Sequence, residues 1–217
     1  MYIYLFHKYM GKHTQSVDNA VVSRIYGKGM GWVFTPADFQ DLGSRTAVGL
    51  ALMRHKRSGI IRQLARGLYD YPATDPLFGF LSPSTDTIAK ALRGRDASRL
   101  QPTGAYAANI LGLSDQVPMK TIFLTDGRSC RVVMGKREII LKHTTLRNMA
   151  TAGTISGLVI QALRWIGHRH VDDVVIAKLQ TRLSDKDKNR LLKDIRFAPA
   201  WIAEIIRTLT KPGKTKR

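Results

Sequence analysis

The stretch from Thr35 to Pro72, TPADFQDLGSRTAVGLALMRHKRSGIIRQLARGLYDYP, constrains this chain most, because two short helices, a glycine turn and a basic hairpin follow one another there. Thr35 can N-cap a helix with Pro36 at its first position and Asp38 at its third, a capping box in which a short acid reaches back to the cap amide. That helix ends at Leu42-Gly43. Ser44 then caps a second helix whose apolar Val48, Ala51 and Leu52 recur at three- and four-residue spacing, leaving Thr46, Leu50, Met53 and Arg57 on the opposite face. Gly59 stops it at the usual C′ position. Ile60-Ile61-Arg62-Gln63 and Leu68-Tyr69-Asp70-Tyr71 read as two strands around a tight turn, Ala65-Arg66-Gly67, with Arg62 and Arg66 near the turn. This order is the sequence form of a winged helix-turn-helix, with the hairpin as its wing.

Charge points the same way. Ser44 to Tyr71 carries six bases (Arg45, Arg54, Lys56, Arg57, Arg62, Arg66) and one acid, Asp70, whereas Met1 to Gly43 carries four bases and three acids. A positive field concentrated on one helix and one hairpin suits phosphate. Ahead of them, Ser16 to Tyr26 reads as a first helix with Val17, Val21 and Ile25 as its stripe. Trp32-Val33-Phe34 supplies a short strand beside the wing.

The 217 residues carry a net charge of +19, which favours a polyanionic partner, nucleic acid before anionic membrane. No apolar run reaches the roughly 20 residues of a membrane-spanning helix. The opening MYIYLFHKYMGK lacks the charged start and cleavage site of a signal peptide, so residues 1–15 are expected to be a flexible leader. The lone Cys130 excludes an intramolecular disulfide and suits a reducing cytoplasm.

Pro72, Pro76 and Leu81-Ser82-Pro83-Ser84 mark a change of region, giving an expected boundary near residue 81. Ser82 or Ser84 caps a helix to about Arg93 with Ile88 and Leu92 inward. Arg99-Leu100-Gln101 reads as a short strand, and Thr103 starts a small-residue helix from Gly104 to Leu113. Lys120–Thr125, Cys130–Met134 and Glu138–Lys142 are β-branched and apolar, with Asp126-Gly127 as a hairpin turn signal, so a small, mostly antiparallel sheet follows. Helices are then expected at 158–166, 171–183, 185–196 and 199–209, before a basic tail at 211–217. The fold class is α+β: a winged helix-turn-helix over 16–80, then an α+β domain over 81–210 with a helical end.

Several catalytic patterns fail. Pro212-Gly213-Lys214-Thr215 imitates the end of a P-loop, but the earlier glycine it needs falls on Thr208. His168 and His170, with Asp172 and Asp173 beside them, lack a third His or a Cys and read as a helix-start cluster. Asp126, Glu138 and Lys142 suggest a nuclease-like set, yet Glu138 and Lys142 are four apart on a strand and Asp126-Gly127 suits turn chemistry. Cys130 has no base partner. No enzyme, metal site or cofactor site is expected.

The chain resembles the AbiEi-like antitoxins of type IV toxin-antitoxin (abortive infection) systems, in the branch with an N-terminal winged helix. The resemblance is carried by FTPADFQDLGSRTAV (34–48), IRQLARGLYDYP (61–72), LQPTGAYAANILGLSDQVP (100–118), IFLTDG (122–127), TTLRNMATAG (144–153), SGLVIQALRWIG (156–167) and FAPAW (197–201). It implies a cytoplasmic, nucleoid-associated repressor that binds inverted repeats in its own promoter through the N-terminal domain. It also implies a C-terminal domain that counteracts a co-encoded toxin of nucleotidyltransferase fold without a stable complex.

The set expected to meet DNA is therefore Ser44, Arg45, Thr46, Gly49, Leu50, Met53, Arg54, Lys56, Arg57, Arg62, Gln63 and Arg66. Thr46, Gly49, Leu50 and Met53, with Arg45 at the helix start, would face the major groove. Arg54, Lys56 and Arg57 would hold phosphates, and Arg62, Gln63 and Arg66 would touch backbone or minor groove. Leu50 and Met53 suit thymine methyl groups or packing on another part of the protein, and His55 reads as a core-edge histidine. The competing expectations are an RNA-binding protein using the basic middle region and a nuclease or nucleotide-transferring enzyme.

Overall fold

A computed structural model of the chain describes residues 16–94 and 99–210, so the expected leader, the basic tail and the Pro212–Thr215 run lie outside it. Among the described residues the chain is α+β, with eight α-helices and three small sheets. It divides into two compact units, residues up to 91 and residues from 92 on.

In the first unit, helix α1 (Val17–Lys28) starts where Ser16 Oγ accepts from the Asn19 amide at 3.2 Å. After it come strand β1 (Val33–Phe34) and a single 3-10 turn, Pro36–Phe39, where a longer second helix was expected. Asp38 reaches back as the sequence requires, accepting from the Thr35 amide at 2.8 Å. Helix α2 (Arg45–Arg57) begins with Ser44 Oγ accepting from the Ala47 amide at 3.2 Å, and it ends just before Gly59, whose φ is 77°. Strands β2 (Arg62–Ala65) and β3 (Leu68–Asp70) join β1 in an antiparallel sheet of order β1-β3-β2.

Ile60 and Ile61 were expected in the first strand, but they precede it. Their amides both bond to the His55 carbonyl, and Ile61 is buried in the core. That core also contains Val21, Ile25, Phe34, Phe39, Val48, Ala51 and Leu52. Each such aliphatic or aromatic side chain contributes about 1.5–3 kcal/mol on full burial. Phe34 meets Phe39 edge to face at 5.4 Å. Gly43 is required by close approach: a Cβ there would come within 2.7 Å of Val17 Cγ2.

Two features of this unit carry no periodic signal. One is a second hairpin of two-residue strands, β4 (Thr74–Asp75) and β5 (Gly79–Phe80). The other is where the unit ends: helix α3 (Thr85–Arg93), whose start is capped by Ser84 Oγ at 3.1 Å from the Thr87 amide, spans the division between the units.

The second unit begins with β6 (Leu100–Thr103) and α4 (Gly104–Ile110), a helix that stops short of the expected Leu113. Strands β7 (Lys120–Thr125), β8 (Cys130–Met134) and β9 (Arg137–His143) complete a sheet of order β6-β7-β9-β8. β6–β7 and β8–β9 are antiparallel, whereas β7–β9 is parallel.

The parallel pair corrects the reading of Asp126-Gly127. β7 does not pair with β8, so there is no hairpin turn between them. The turn that joins paired strands is Gly135-Lys136, where Gly135 has φ 58°. Helices α5 (Ile155–Ile166), α6 (Asp173–Arg182), α7 (Asp185–Asp194) and α8 (Ala200–Thr210) close the unit around Val159, Leu163, Leu179, Leu191, Ile202 and Ile206. No helix among the described residues is long and apolar enough to cross a membrane.

Candidate nucleic-acid interface

Helix α2 divides cleanly into two faces. Val48, Ala51, Leu52 and His55 are buried, which forces Arg45, Thr46, Gly49, Leu50, Met53, Arg54 and Arg57 outward. Its 13 residues make a rod about 20 Å long, suited to a major groove about 12 Å wide. Leu50 and Met53 are 44% and 38% exposed, so of the two roles open to them, neither is taken by the core of their own unit.

Gly49 sits in the middle of the exposed face. A Cβ there would meet nothing within 4 Å, and its φ is not in the left-handed region. A mid-helix glycine costs about 0.5–1 kcal/mol relative to alanine. Neither packing nor backbone conformation within the chain accounts for that cost.

The basic members of the expected set differ in what holds them. Arg45, Arg57 and Arg66 are exposed and have no ion-pair partner among the described residues. Arg54 is lightly held, its Nη1 lying 3.3 Å from Asp18 Oδ1 at an exposed site, where such pairs contribute roughly 0.2–1 kcal/mol. Lys56 Nζ donates to Gln63 Oε1 at 2.6 Å, linking the end of α2 to β2.

Arg62 is a different case, and its expected place near the turn is corrected. It opens β2, opposite Asp70 in register, at the end of the hairpin away from the Arg66-Gly67 turn. Its guanidinium donates to both Asp70 oxygens, at 3.1 and 2.5 Å, and to the Leu81 carbonyl at 2.7 Å. It also lies 5.5 Å over the Phe80 ring. Asp70 is buried, and its negative charge requires this partner. Every other member of the expected set, from Ser44 to Arg66, is exposed.

A cleft of about 440 Å³ opens where the 3-10 turn, the start of α2 and the hairpin turn meet. Thr35, Gln40, Gly43, Arg45 and Gly67 are among its lining residues. It brings the amino end of α2, with its outward-pointing amide dipoles, beside the turn that carries Arg66.

The sets weighed for catalysis are not assembled. Glu138 stands at one end of the β7–β9 pair, opposite Lys120, whereas Lys142 lies four residues along β9 opposite Leu124 and Asp126 follows Thr125 at the other end, about 20 Å from Glu138 at the usual rise per residue. Asp126 is taken by Arg99, accepting from its backbone amide at 2.6 Å and its Nε at 3.0 Å. The Arg99 side chain, followed by its backbone amide, holds the Asp126 carboxyl below its usual range. Glu138 pairs with Arg131 at 2.5 Å. His168 lies against Trp201, and Asp172 caps α6, accepting from the Val175 amide at 2.9 Å. Burial raises the Cys130 thiol above its ordinary value.

No curated protein matches the chain. The model of a family of unknown function, DUF6088, matches residues 20–191. That match takes in α2 with its flanking hairpin and continues through the sheet of the second unit and its helices as far as α7, stopping short of α8. The chain belongs to the DUF6088 family.

Proposed function

We propose that the first unit is a winged helix-turn-helix that binds double-stranded DNA, with α2 in the major groove and the β2–β3 hairpin as a short wing. The observation that carries this reading is the outer face of α2. A helix fixed at its start by Ser44 and along its length by a buried stripe presents Thr46, Gly49, Leu50 and Met53, with unpaired Arg45 and Arg57 at its two ends. Arg66 extends the basic surface to the wing. Gly49 allows close approach of a partner surface at the centre of that face.

The biological role we attach to this activity is that of an antitoxin and autoregulator. The first unit would repress its own promoter at inverted repeats, and the second would counteract a co-encoded toxin of nucleotidyltransferase fold without a stable complex. This part rests on the resemblance of residues 34–48, 61–72 and the later segments to AbiEi-like antitoxins.

The binding reading is tested with a random-sequence duplex of about 30 base pairs and with the duplex upstream of the protein's own coding sequence. Changing Arg57 and Arg66 to Ala should weaken both complexes and lower the slope of log K against log salt by about 1 per contact. Gly49→Ala should stabilise the fold by about 0.5–1 kcal/mol while weakening binding, a combination that a purely structural glycine does not give. An unchanged slope, or equal affinity for structured RNA, would overturn the DNA assignment. Co-expression with the reading frame adjacent to its gene tests the antitoxin role, with rescue of growth as the expected result.

A further inference from the structure

The β4–β5 hairpin raises an issue the DNA reading does not resolve. It places Leu77, Phe78, Phe80 and Leu81 in solvent at 88%, 79%, 64% and 41% exposure. Four large apolar side chains within five residues form a contiguous patch of the kind that marks an interaction surface.

The patch is held in shape. The Asp75 carboxylate accepts from the Leu77 amide at 2.8 Å and the Phe78 amide at 3.1 Å, which fixes the tip. Gly79, at φ 68°, completes the turn, and the Leu81 amide bonds back to the Ala73 carbonyl at 2.8 Å. Arg62 ties the base to the larger sheet through the Leu81 carbonyl and the Phe80 ring. A hairpin ordered in this way presents its apolar groups without the entropy cost of arranging them on binding.

Charge selects the partner. From Gly67 to Ala89 the chain has no Lys, Arg or His, and its charged residues there are Asp70, Asp75 and Asp86, in a protein whose net charge is +19. Nucleic acid is disfavoured at such a surface, because the one base beside it, Arg62, is committed to the buried Asp70, which leaves Asp75 and Asp86 as the charges of the stretch. Two copies of this chain repel each other over most of their surfaces. They can approach at a stretch whose one neighbouring base, Arg62, is already paired with Asp70, and where apolar groups drive association.

We infer that the β4–β5 hairpin is a self-association surface, through which two copies of the chain pair about a two-fold axis with Leu77 and Phe78 at its centre. Such an interface is self-complementary, with each copy contributing the same tip. The two phenylalanines, at about 200 Å² each, and the two leucines offer on the order of 400–500 Å² per copy. That falls short of the about 800 Å² per partner of a stable complex. The free dimer is therefore weak. The pairing does not depend on the DNA reading.

Sedimentation equilibrium of the full chain from about 1 to 300 μM, without DNA, tests it. The expected mass rises with concentration from monomer toward dimer. The rise strengthens between about 0.05 and 0.5 M salt, because salt screens the repulsion between copies. DNA binding has the opposite salt dependence, so failure of one reading leaves the other standing. Leu77→Ser with Phe78→Ser should remain monomeric throughout, with a melting temperature unchanged because both side chains are in solvent. The single Leu77→Glu, which places like charges at the axis, should do the same and serves if the double variant loses its melting transition. A parent that stays monomeric at the highest concentration overturns the inference. So does a variant that dimerises like the parent, or one that loses melting temperature with no change in mass, which would place the patch against another part of the same chain.

Discussion

Arg62 separates a structural arginine from a DNA-binding one, and the size of its effect can be worked from its contacts. Breaking a fully buried ion pair by removing one partner costs about 3–5 kcal/mol. The Asp70 side chain is 2% exposed, but Arg62 is 32% exposed, so solvent screening reduces the figure to about 2–3 kcal/mol for Arg62→Ala. In a unit of this size each kcal/mol corresponds to roughly 4–8 °C, so its melting temperature should fall by about 10–20 °C. Asp70→Asn removes the stranded charge, and the double variant should be little worse than Arg62→Ala alone, leaving a coupling of about 1–2 kcal/mol. Arg66→Ala, at an exposed arginine without an ion-pair partner among the described residues, is the control and should stay within about 0.5 kcal/mol of the parent. Circular dichroism melting of the full chain and its four variants gives the cycle directly. If Arg62→Ala melts within about 2 °C of the parent and the two changes add without coupling, then Asp70 does not depend on Arg62 and the reasoning fails.

Thr46→Ala should cost on the order of 1–3 kcal/mol at the promoter duplex and little on random DNA, and Leu50→Gln should shift the preferred base at one position with stability nearly unchanged. Competition binding against single-base variants of the promoter, with melting of both proteins, checks this. Gly43→Ala should destabilise the first unit by about 1–3 kcal/mol, read by denaturant titration, because its Cβ must displace Val17. Asp126, with its folded pKa lowered by Arg99, contributes stability that is fully present above the ordinary carboxylate pKa of about 4 and is lost as pH falls through the lowered value. Asp126→Asn should therefore flatten the acid limb of the second unit's stability profile below about pH 4, with little change in its shape near neutrality.

The sequence was most legible where a structure depends on neighbours within four residues. Ser16, Ser44, Ser84, Asp172 and the Thr35/Asp38 pair lie where their helix starts need them, and Val48, Ala51 and Leu52 face inward as their spacing dictates. Legibility failed where a side chain's partner is distant along the chain. Arg62 reads as a free wing charge until the strand register sets it opposite Asp70. Asp126-Gly127 has the composition of a hairpin turn, but β7 takes β9 as its neighbour and Asp126 bonds to Arg99. The β4–β5 hairpin has strands too short for any alternation, and its apolar residues point outward, against the rule by which strands are found in a sequence. Of the candidate interface, the faces of α2 could be read in advance, whereas the distinction among free, lightly held and committed arginines required the fold.

The strand order β6-β7-β9-β8 also imposes a sequence of events on folding. β8 and β9 are joined by two residues with Gly135 already in the conformation that such turns use, so this ribbon can close on its own in about 1–10 μs. β7 has no partner in the strand that follows it. It must wait for β9, which arrives in parallel register, Ile122 beside Ile140, with the ribbon as its carrier. The slow step for the second unit is then the docking of a preformed ribbon onto β7, a search over a closed loop instead of the zipping of adjacent strands. Until it is complete, β7, a run of Ile122, Phe123 and Leu124 flanked by threonines, stands with an unpaired edge. The unit is therefore most exposed to aggregation as it emerges from synthesis, in the interval between the making of β7 and the making of β9.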